Sequence, residues 1–260
     1  MTSRSLSRRT QTVGDIDIHY QIQGSGPPLV MIIGLSFSLR DWGADLIQRL
    51  SSSHQLILFD NRDAGLTQES RRNYTIQDMA DDTAGLIKAL GISKADIFGV
   101  SMGGAIAQHL ALRHPNTVDR LILGCTFAGG DCSQPGDFTG FLSGNLPSLL
   151  FTPEYLDQHQ GSINDFLDQT RPYHSSGSAL HRQLNAIATH DTCDRLADIV
   201  APTLVITGDR DIAIPAANSQ LLAERIPKAR LEIIPEAAHG FCYSHAQTTA
   251  EQIQMFLALS

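Results

Sequence analysis

The sequence lacks the positive charge that a nucleic-acid-binding protein carries. Its 260 residues include 19 lysines and arginines against 27 aspartates and glutamates, which gives a formal net charge of -8. Because binding of phosphate groups needs a basic face, this balance argues against nucleic acid as a partner. Arg4, Arg8 and Arg9 make a short basic start, for which we expect a solvated tail.

Long hydrophobic runs are also missing. The longest uninterrupted apolar run, residues 29–33, is far too short to cross a bilayer, so we expect no membrane association. The pair Arg8–Arg9 resembles part of a twin-arginine export signal. The residues that follow, TQTVGDIDIHY, contain no apolar core for such a signal, which argues against export.

Cysteine is scarce and irregularly spaced. Cys125, Cys132, Cys193 and Cys242 form no C-x-x-C pair and no zinc-binding spacing. We therefore predict reduced, mostly buried thiols in a cytoplasmic protein. The remaining composition, 42% hydrophobic and 18% charged, is that of an ordinary globular protein with a sizeable core.

Short apolar runs recur along the chain and predict strands. Residues 15–22 alternate strictly, with His19 on the polar side, which predicts a half-solvated strand at an antiparallel sheet edge. Six later runs are almost continuously apolar and suit parallel strands that are covered on both faces. They lie at 29–33, 55–60, 95–100, 120–125, 203–208 and 230–235.

Helical patterns separate these runs and predict an α/β fold with a mostly parallel sheet and helices on both faces. Thr75 and Gly91 are the expected start and stop signals of one of these helices. The interval 127–199 contains helical pieces but no convincing strand, which predicts a helical cap inserted into a core of residues 1–126 and 200–260. The helical patterns lie at 41–50, 76–90, 102–113, 138–150, 153–169, 178–188, 216–225 and 245–259.

The stretch GVSMGG, residues 99–104, joins a predicted buried strand to a predicted helix. A G-x-S-x-G pattern is weak evidence by itself, but at a strand-to-helix elbow it exposes a serine hydroxyl at the carboxyl edge of the sheet. Gly99 and Gly103 flank Ser101 because strand and helix approach too closely there for side chains. We therefore predict that Ser101 is a nucleophile and that the Met102 amide, at the start of the helix, binds an oxyanion.

A serine nucleophile needs a base and an acid that orients the base. Asp209 and Asp211 follow the strand predicted at 203–208, and His239 follows the strand predicted at 230–235. All of them should therefore meet Ser101 at one sheet edge. The other histidines singled out are expected to be exposed or to have structural hydrogen bonds: His54, His109, His114, His159, His174, His181, His190 and His245.

GVSMGG, PTLVITGDRDIAIP and AAHGF together resemble the α/β-hydrolase superfamily over most of the chain. The resemblance implies an eight-stranded sheet with the cap after the sixth strand. It also implies a catalytic triad of Ser101, Asp211 and His239, leaving Asp209 as a solvated turn residue. Aligning Gly34 with the family's His-Gly loop implies that the Leu35 amide is the second oxyanion donor, although Ile33 stands where the family has histidine.

The segment FDNRDAGLTQ, residues 59–68, resembles another family loop, with Asp63 in place of a glycine. Asp60 and Asp63 lack further oxygen or histidine ligands nearby, and Arg62 between them indicates a structural network. We predict no metal and no cofactor. Arg171 and Arg182 are candidate binders of a substrate carboxylate, but solvent exposure is the default expectation.

These features predict a serine hydrolase that cleaves carboxylic esters of a small to medium, largely hydrophobic substrate through an acyl-enzyme. Apolar residues of the cap, and Trp42 unless it only packs a helix, should line the pocket. A lactonase of the enol-lactone hydrolase type, a cofactor-free perhydrolase, a C–C bond hydrolase and a ligand receptor remain alternatives. The cap residues are Phe127, Phe138, Phe141, Leu142, Leu146, Leu149, Leu150, Phe151, Tyr155, Ile163 and Phe166.

Overall fold

The computed structural model describes residues 9–259, which form one eight-stranded sheet with helices on both faces. The strand order is β1-β2-β4-β3-β5-β6-β7-β8, in which β2 is antiparallel to both of its neighbours and β3 to β8 are parallel. The strands are Arg9–Val13 (β1), Ile16–Gln23 (β2), Pro28–Ile32 (β3), Gln55–Phe59 (β4), Ala95–Val100 (β5), Val118–Gly124 (β6), Thr203–Gly208 (β7) and Ala229–Ile234 (β8).

The helices lie between the strands, as the alternating pattern predicts. The α-helices of the described range are Ala44–Leu50 (α1), Ile76–Ala89 (α2), Met102–Arg113 (α3), Thr139–Leu142 (α4), Leu146–Leu150 (α5), Pro153–Thr170 (α6), Gly177–Ala188 (α7), Ala216–Arg225 (α8), Phe241–Ser244 (α9) and Ala246–Leu257 (α10). Short 3-10 helices cover Leu39–Trp42, Gly130–Cys132, Arg171–Tyr173 and Cys193–Asp198. None of the helices within 9–259 has both the length and the hydropathy needed to cross a membrane.

The central strands are buried on both faces, which is why their sequences are continuously apolar. Successive side chains point to opposite sides of a sheet, so each strand contributes to two cores. Val30 and Ile97 pack into the core beneath α2, α3 and α8, while Leu29 and Phe98 pack into the core beneath α1 and α10. The predicted α/β fold class is confirmed.

Local signals explain where several helices begin and break. At α2, the Thr75 hydroxyl accepts the Asp78 N–H, and the Asp78 carboxylate accepts the Thr75 N–H, as in a capping box. The helices predicted at 41–50 and 138–150 are each divided. Gly43 and Gly144 stand at the breaks with φ of 77°, a conformation that a helix does not continue through.

The first edge of the sheet differs from the sequence expectation. β1 pairs outside β2 through contacts such as Thr10 with His19, so β2 is an inner strand. His19 is buried instead of solvated because the loop after β4 covers it: the His19 N–H donates to the Thr67 hydroxyl at 3.0 Å, and its Nδ1 lies 2.8 Å from Asp60 Oδ2. Arg9 belongs to β1 and not to a tail, whereas Arg4 and Arg8 lie outside the described residues.

The prediction of four reduced cysteines is wrong for one pair. Cys132 and Cys193 form a disulfide with a Cα–Cα distance of 6.2 Å, whereas Cys125 and Cys242 are free as expected. The two bonded residues are 61 positions apart, and the fold brings them together beside Gly129. Reduced cysteines therefore no longer support a cytoplasmic location.

Residues 127–199, which we call the insert, connect β6 to β7 with helices and loops and contribute no strand to the sheet. An ion pair ties the insert to the core: Arg182 of α7 donates to both carboxylate oxygens of Asp63 at 2.7 and 2.9 Å. The disulfide joins the two ends of the insert. That the insert forms a separate domain from the core stays a prediction.

Candidate active site

Ser101 occupies the turn between β5 and α3 in a conformation that is strained for a residue with a side chain. Its φ is 55° and its ψ is -124°. The Ser101 N–H donates to the Gly124 carbonyl at 2.9 Å, and the Thr126 hydroxyl donates to the Ser101 carbonyl at 2.7 Å. Contacts with β6 and the loop after it therefore hold the elbow in this geometry.

The flanking glycines permit close packing at the elbow, as the sequence predicts. A Cβ on Gly103 would overlap the Ile32 carbonyl oxygen of β3, and a Cβ on Gly99 would overlap the backbone of Gly103. Neither position has room for a side chain. The glycines thus let α3 start directly against the ends of β3 and β5.

Asp211 and His239 form a buried hydrogen-bonded pair at the carboxyl edge of the sheet. His239 Nδ1 lies 2.8 Å from Asp211 Oδ2, and Asp211 Oδ1 accepts the Ile214 N–H at 2.9 Å. Asp209 is exposed and lies beside Arg210 instead. Because Nδ1 donates to the carboxylate, the other ring nitrogen, Nε2, is left as a base.

The electrostatics of this pair favour a charged imidazole. Burial opposes the charge on His239, but the Asp211 carboxylate and its hydrogen bond, together with Cys125 beside the ring, outweigh the burial, so the pKa of His239 is raised well above 6.5. The pair therefore stabilises the imidazolium that forms when the ring accepts a proton.

Ser101 and His239 line the same cavity, together with Leu35 and Gly34. Within the described residues no hydrogen bond joins the Ser101 hydroxyl to the His239 ring, a contact that often tightens only when substrate is bound. The structure thus brings the three predicted side chains to one sheet edge and pairs two of them. Their catalytic roles stay a prediction.

Two backbone amides near Ser101 are available to a ligand. Among the described residues no protein group accepts the N–H of Leu35 or of Met102. Met102 is the first residue of α3, where the helix provides no earlier carbonyl to accept its amide. Leu35 follows Gly34, whose backbone packs so closely on the serine that an added Cβ would lie 3.1 Å from Ser101 Cβ.

The cavity beside Ser101 is almost entirely apolar. Its volume is about 790 Å³, mouth included. Most of the cap residues singled out in the sequence line it, and Trp42 both lines it and packs on Phe98 with ring centroids 5.1 Å apart. The insert contributes Phe138, Phe141, Leu146, Leu149, Leu150, Phe151 and Phe166.

A second cavity, of about 1140 Å³ with its open mouth included, also borders Ser101. Phe127 and Leu142 line this second cavity. The remaining two expected pocket residues, Tyr155 and Ile163, instead belong to a small apolar cluster of the insert. The two cavities share Leu35, Ser101, Phe138 and Phe141 as lining residues.

Cys125 is a residue of the site that sequence reasoning missed. It follows β6 directly, lines the first cavity, and offers a sulfur within 4.8 Å of ligand atoms of Asp211 and His239. A sulfur, a carboxylate oxygen and an imidazole nitrogen are ligands for a metal ion, but Asp211 and His239 already hydrogen-bond to each other. The position of Cys125 at the carboxyl end of a central strand is the sequence feature that could have identified it as a site residue.

Other candidate residues have structural partners. Arg182 is neither exposed nor in a cavity, because Asp63 and Glu69 bind it; the expectation of exposure is wrong for Arg182 and confirmed for Arg171. Asp60 accepts the N–H groups of Leu39 and Leu66 at 2.7 and 2.9 Å. The expected structural role of this loop is therefore confirmed.

The buried histidines His109 and His190 form a structural pair, and His190 also lines the second cavity. Burial lowers the pKa of His109 to about 4, and it also lowers that of His190. The two rings are linked by a 3.1 Å hydrogen bond, and His190 Nε2 lies 3.2 Å from the Phe127 carbonyl oxygen. The pair is neutral and hydrogen-bonded, which agrees with the expected structural hydrogen bonds of these two histidines.

The sequence model of the alpha/beta hydrolase family matches residues 29–252. The chain belongs to this family. The match includes the serine elbow, the Asp211 loop and His239, so the family assignment rests on the same segments that form the candidate site.

Relatives and solved structures extend the comparison. A protein of Azorhizobium caulinodans, provisionally named carbamate hydrolase RutD, is 28% identical over 239 residues, which cover 88% of this chain and 90% of the relative. The structure of a Pseudomonas aeruginosa hydrolase matches with a TM-score of 0.87 and 24% identity, covering 98% of this chain and all of that one. The enol-lactonase of Burkholderia xenovorans matches with a TM-score of 0.83 and 25% identity, over 96% and 100% of the two chains. The chain's membership of the alpha/beta hydrolase family supports a hydrolase activity.

Proposed function

We propose that this alpha/beta hydrolase cleaves a carboxylic ester or a related acyl compound of largely hydrophobic character through an acyl-enzyme on Ser101. One observation carries the proposal. The strained Ser101, His239 and Leu35 line one apolar cavity, Asp211 is hydrogen-bonded to His239 behind it, and Met102, with its unused amide, lines the second cavity, which Ser101 and Leu35 also line. Each part of acyl transfer therefore has a candidate group within this site.

In the acylation step, Ser101 Oγ attacks the substrate carbonyl while His239 Nε2 accepts its proton. Asp211 holds the imidazole through Nδ1 and stabilises the imidazolium. The carbonyl oxygen becomes an oxyanion, to which the amides of Leu35 and Met102 donate. The intermediate then collapses, and His239 returns the proton to the leaving oxygen.

Deacylation repeats these steps with water as the nucleophile. His239 accepts a proton from the water, which attacks the acyl carbon, and the same two amides bind the second oxyanion. Collapse releases the carboxylic acid and returns the proton to Ser101. The cycle needs no group beyond the residues named.

The cavities support a hydrophobic substrate. An apolar lining favours hydrocarbon groups, because burying them gains roughly 25 cal/mol per Å². A second cavity that shares Ser101 and Leu35 with the first supports a substrate with apolar groups on both sides of the scissile bond. The insert contributes much of both linings, and we propose that it acts as the cap of the site.

A screen with p-nitrophenyl esters, lactones and aryl carbamates tests the reaction, with a fluorophosphonate probe as a label for an activated serine. We expect turnover of at least one class, and we expect Ser101→Ala to lower kcat/KM by about 10⁴-fold or more and to abolish labelling. Ser52→Ala, at an exposed serine outside the site, is the matched control. A Ser101→Ala enzyme with nearly the wild-type rate would remove Ser101 from the mechanism.

A lactone is the second candidate substrate, supported by the structural likeness to an enol-lactonase at 25% identity. The panel includes carbamates because the Azorhizobium caulinodans relative is provisionally named a carbamate hydrolase. Both share the acyl-transfer chemistry above, so kcat/KM across the panel distinguishes them. A single labelling event without further turnover would instead indicate a ligand receptor.

A further inference from the structure

The residue after the candidate oxyanion donor Leu35 is held by the insert through all of its polar groups. The Ser36 N–H donates to Gln183 Oε1 at 2.8 Å, and its carbonyl accepts the Ser175 N–H at 2.8 Å. The Ser36 hydroxyl donates to the Ser175 carbonyl at 3.2 Å. Ser36 also has a φ of 70°, which a serine adopts only when its surroundings impose it.

Gln183 of α7 uses both ends of its amide at this point. Its Oε1 accepts the Ser36 N–H, and its Nε2 donates to the Arg62 carbonyl at 2.8 Å. The side chain is fully buried, and these two partners determine which way its amide faces. Loss of the amide would leave a buried N–H and a buried carbonyl without partners, which strongly disfavours the present loop conformation.

The other side of Leu35 is held by the core. The Asn61 side-chain amide donates to the Ile33 carbonyl at 2.9 Å, and Gly34 packs directly on Ser101. The Leu35 N–H therefore lies between a peptide held by Asn61 and a peptide held by Gln183. Its direction depends on both contacts.

The helix that carries Gln183 is itself anchored. The preceding residue, Arg182, binds the fully buried Asp63 carboxylate with two hydrogen bonds, and the Ser175 hydroxyl donates to the Asp63 carbonyl at 2.6 Å. Because this helix is anchored, Gln183 can hold the loop at Ser36 in one position. A mobile lid could not.

We propose that Gln183 is a positioning residue for the oxyanion site, so that the insert completes the site by orienting the Leu35 amide as well as covering it. This inference rests on the function proposed above. Loss of one oxyanion donor lowers kcat by about 10²- to 10³-fold. Because the donor acts on the transition state, KM should change little.

The test compares Gln183→Met, which keeps the length but loses both hydrogen bonds, with Asn185→Ala, an exposed substitution on the same helix. We expect Gln183→Met to lower kcat by about 10²-fold with KM within about threefold, and Asn185→Ala to change neither. A boronic acid that forms a tetrahedral adduct should lose affinity in parallel with kcat, whereas a carboxylate product should not. A folded Gln183→Met protein with kcat within about threefold of wild type would overturn the inference.

Gln183→Glu provides the second measurement if the methionine variant does not fold. It keeps an acceptor for the Ser36 N–H and, when protonated, regains a donor for the Arg62 carbonyl. We expect its rate, divided by the wild-type rate at each pH, to rise as the pH falls; a constant ratio near one overturns the inference. If wild-type protein neither turns over the panel nor reacts with the fluorophosphonate, the proposed function itself fails, which is a separate outcome.

Discussion

The Asp211–His239 pair leads to a prediction about both the rate and its pH dependence. Two unit charges 2.8 Å apart attract each other by about 6 kcal/mol at an effective dielectric constant of 20. Burial of the imidazolium opposes this by several kcal/mol. The attraction prevails, which is why the pKa of His239 lies well above 6.5.

Asp211→Asn removes the charge without changing the size of the side chain. The amide can offer an N–H to Nδ1, which would favour the tautomer with the proton on Nε2 and leave no base facing Ser101. We expect kcat/KM to fall by about 10⁴-fold. The residual activity should have its acid limb at lower pH than wild type, because Asp211, the larger of the two groups that raise the pKa of His239, is gone and only Cys125 remains.

The direction of the pH dependence follows from the role of the His239 ring as a base. Only neutral His239 accepts a proton, so wild-type kcat/KM should rise with pH through a pKa above 6.5. The assay is hydrolysis of a p-nitrophenyl ester from pH 5 to 9, with Asp209→Asn as a control from the same loop that should stay within about threefold of wild type. An Asp211→Asn enzyme with an unchanged acid limb would refute the electrostatic reasoning.

The remaining predictions concern stability. Gly103→Ala should lower the free energy of unfolding by about 1–3 kcal/mol, because its Cβ meets the backbone of β3, and thermal unfolding measures the loss. Replacing Cys132 and Cys193 with serine should lower it by up to about 4 kcal/mol for a 61-residue separation, and dithiothreitol should then have no further effect. Arg182→Met leaves the buried Asp63 carboxylate unpaired, so we expect a loss of about 3 kcal/mol in urea unfolding; an unchanged midpoint would contradict this.

Several features could be predicted from local sequence because their causes are local. β5, β7, α3 and α8 have the predicted bounds, since apolar runs and helical periodicity report burial directly. β1 could not be predicted, because RTQTV has no apolar alternation and depends on its pairing with β2. His19 was expected to be solvated, because the alternating pattern does not show that Asp60 and Thr67 cover this face of the strand.

The candidate site was partly predictable. A serine between glycines at a strand-to-helix junction requires little beyond its neighbours to be recognised. Asp209 and Asp211 were equivalent by position, and only the family resemblance favoured Asp211, the residue that pairs with His239 in the structure. Cys125 had only its position directly after a central strand as a signal, and Gln183 carried no local pattern that relates it to the serine.

By itself, the sequence determined the α/β alternation, the elbow at Ser101 and the family, because strand burial, helix periodicity and the steric demands of a tight turn act over a few residues. Tertiary structure alone decided that Cys132 pairs with Cys193, that Arg182 binds Asp63 and that Gln183 holds Ser36. Each of these contacts joins segments about 60 to 150 positions apart. Their partners depend on where the whole chain has packed, and no short stretch of sequence contains that information.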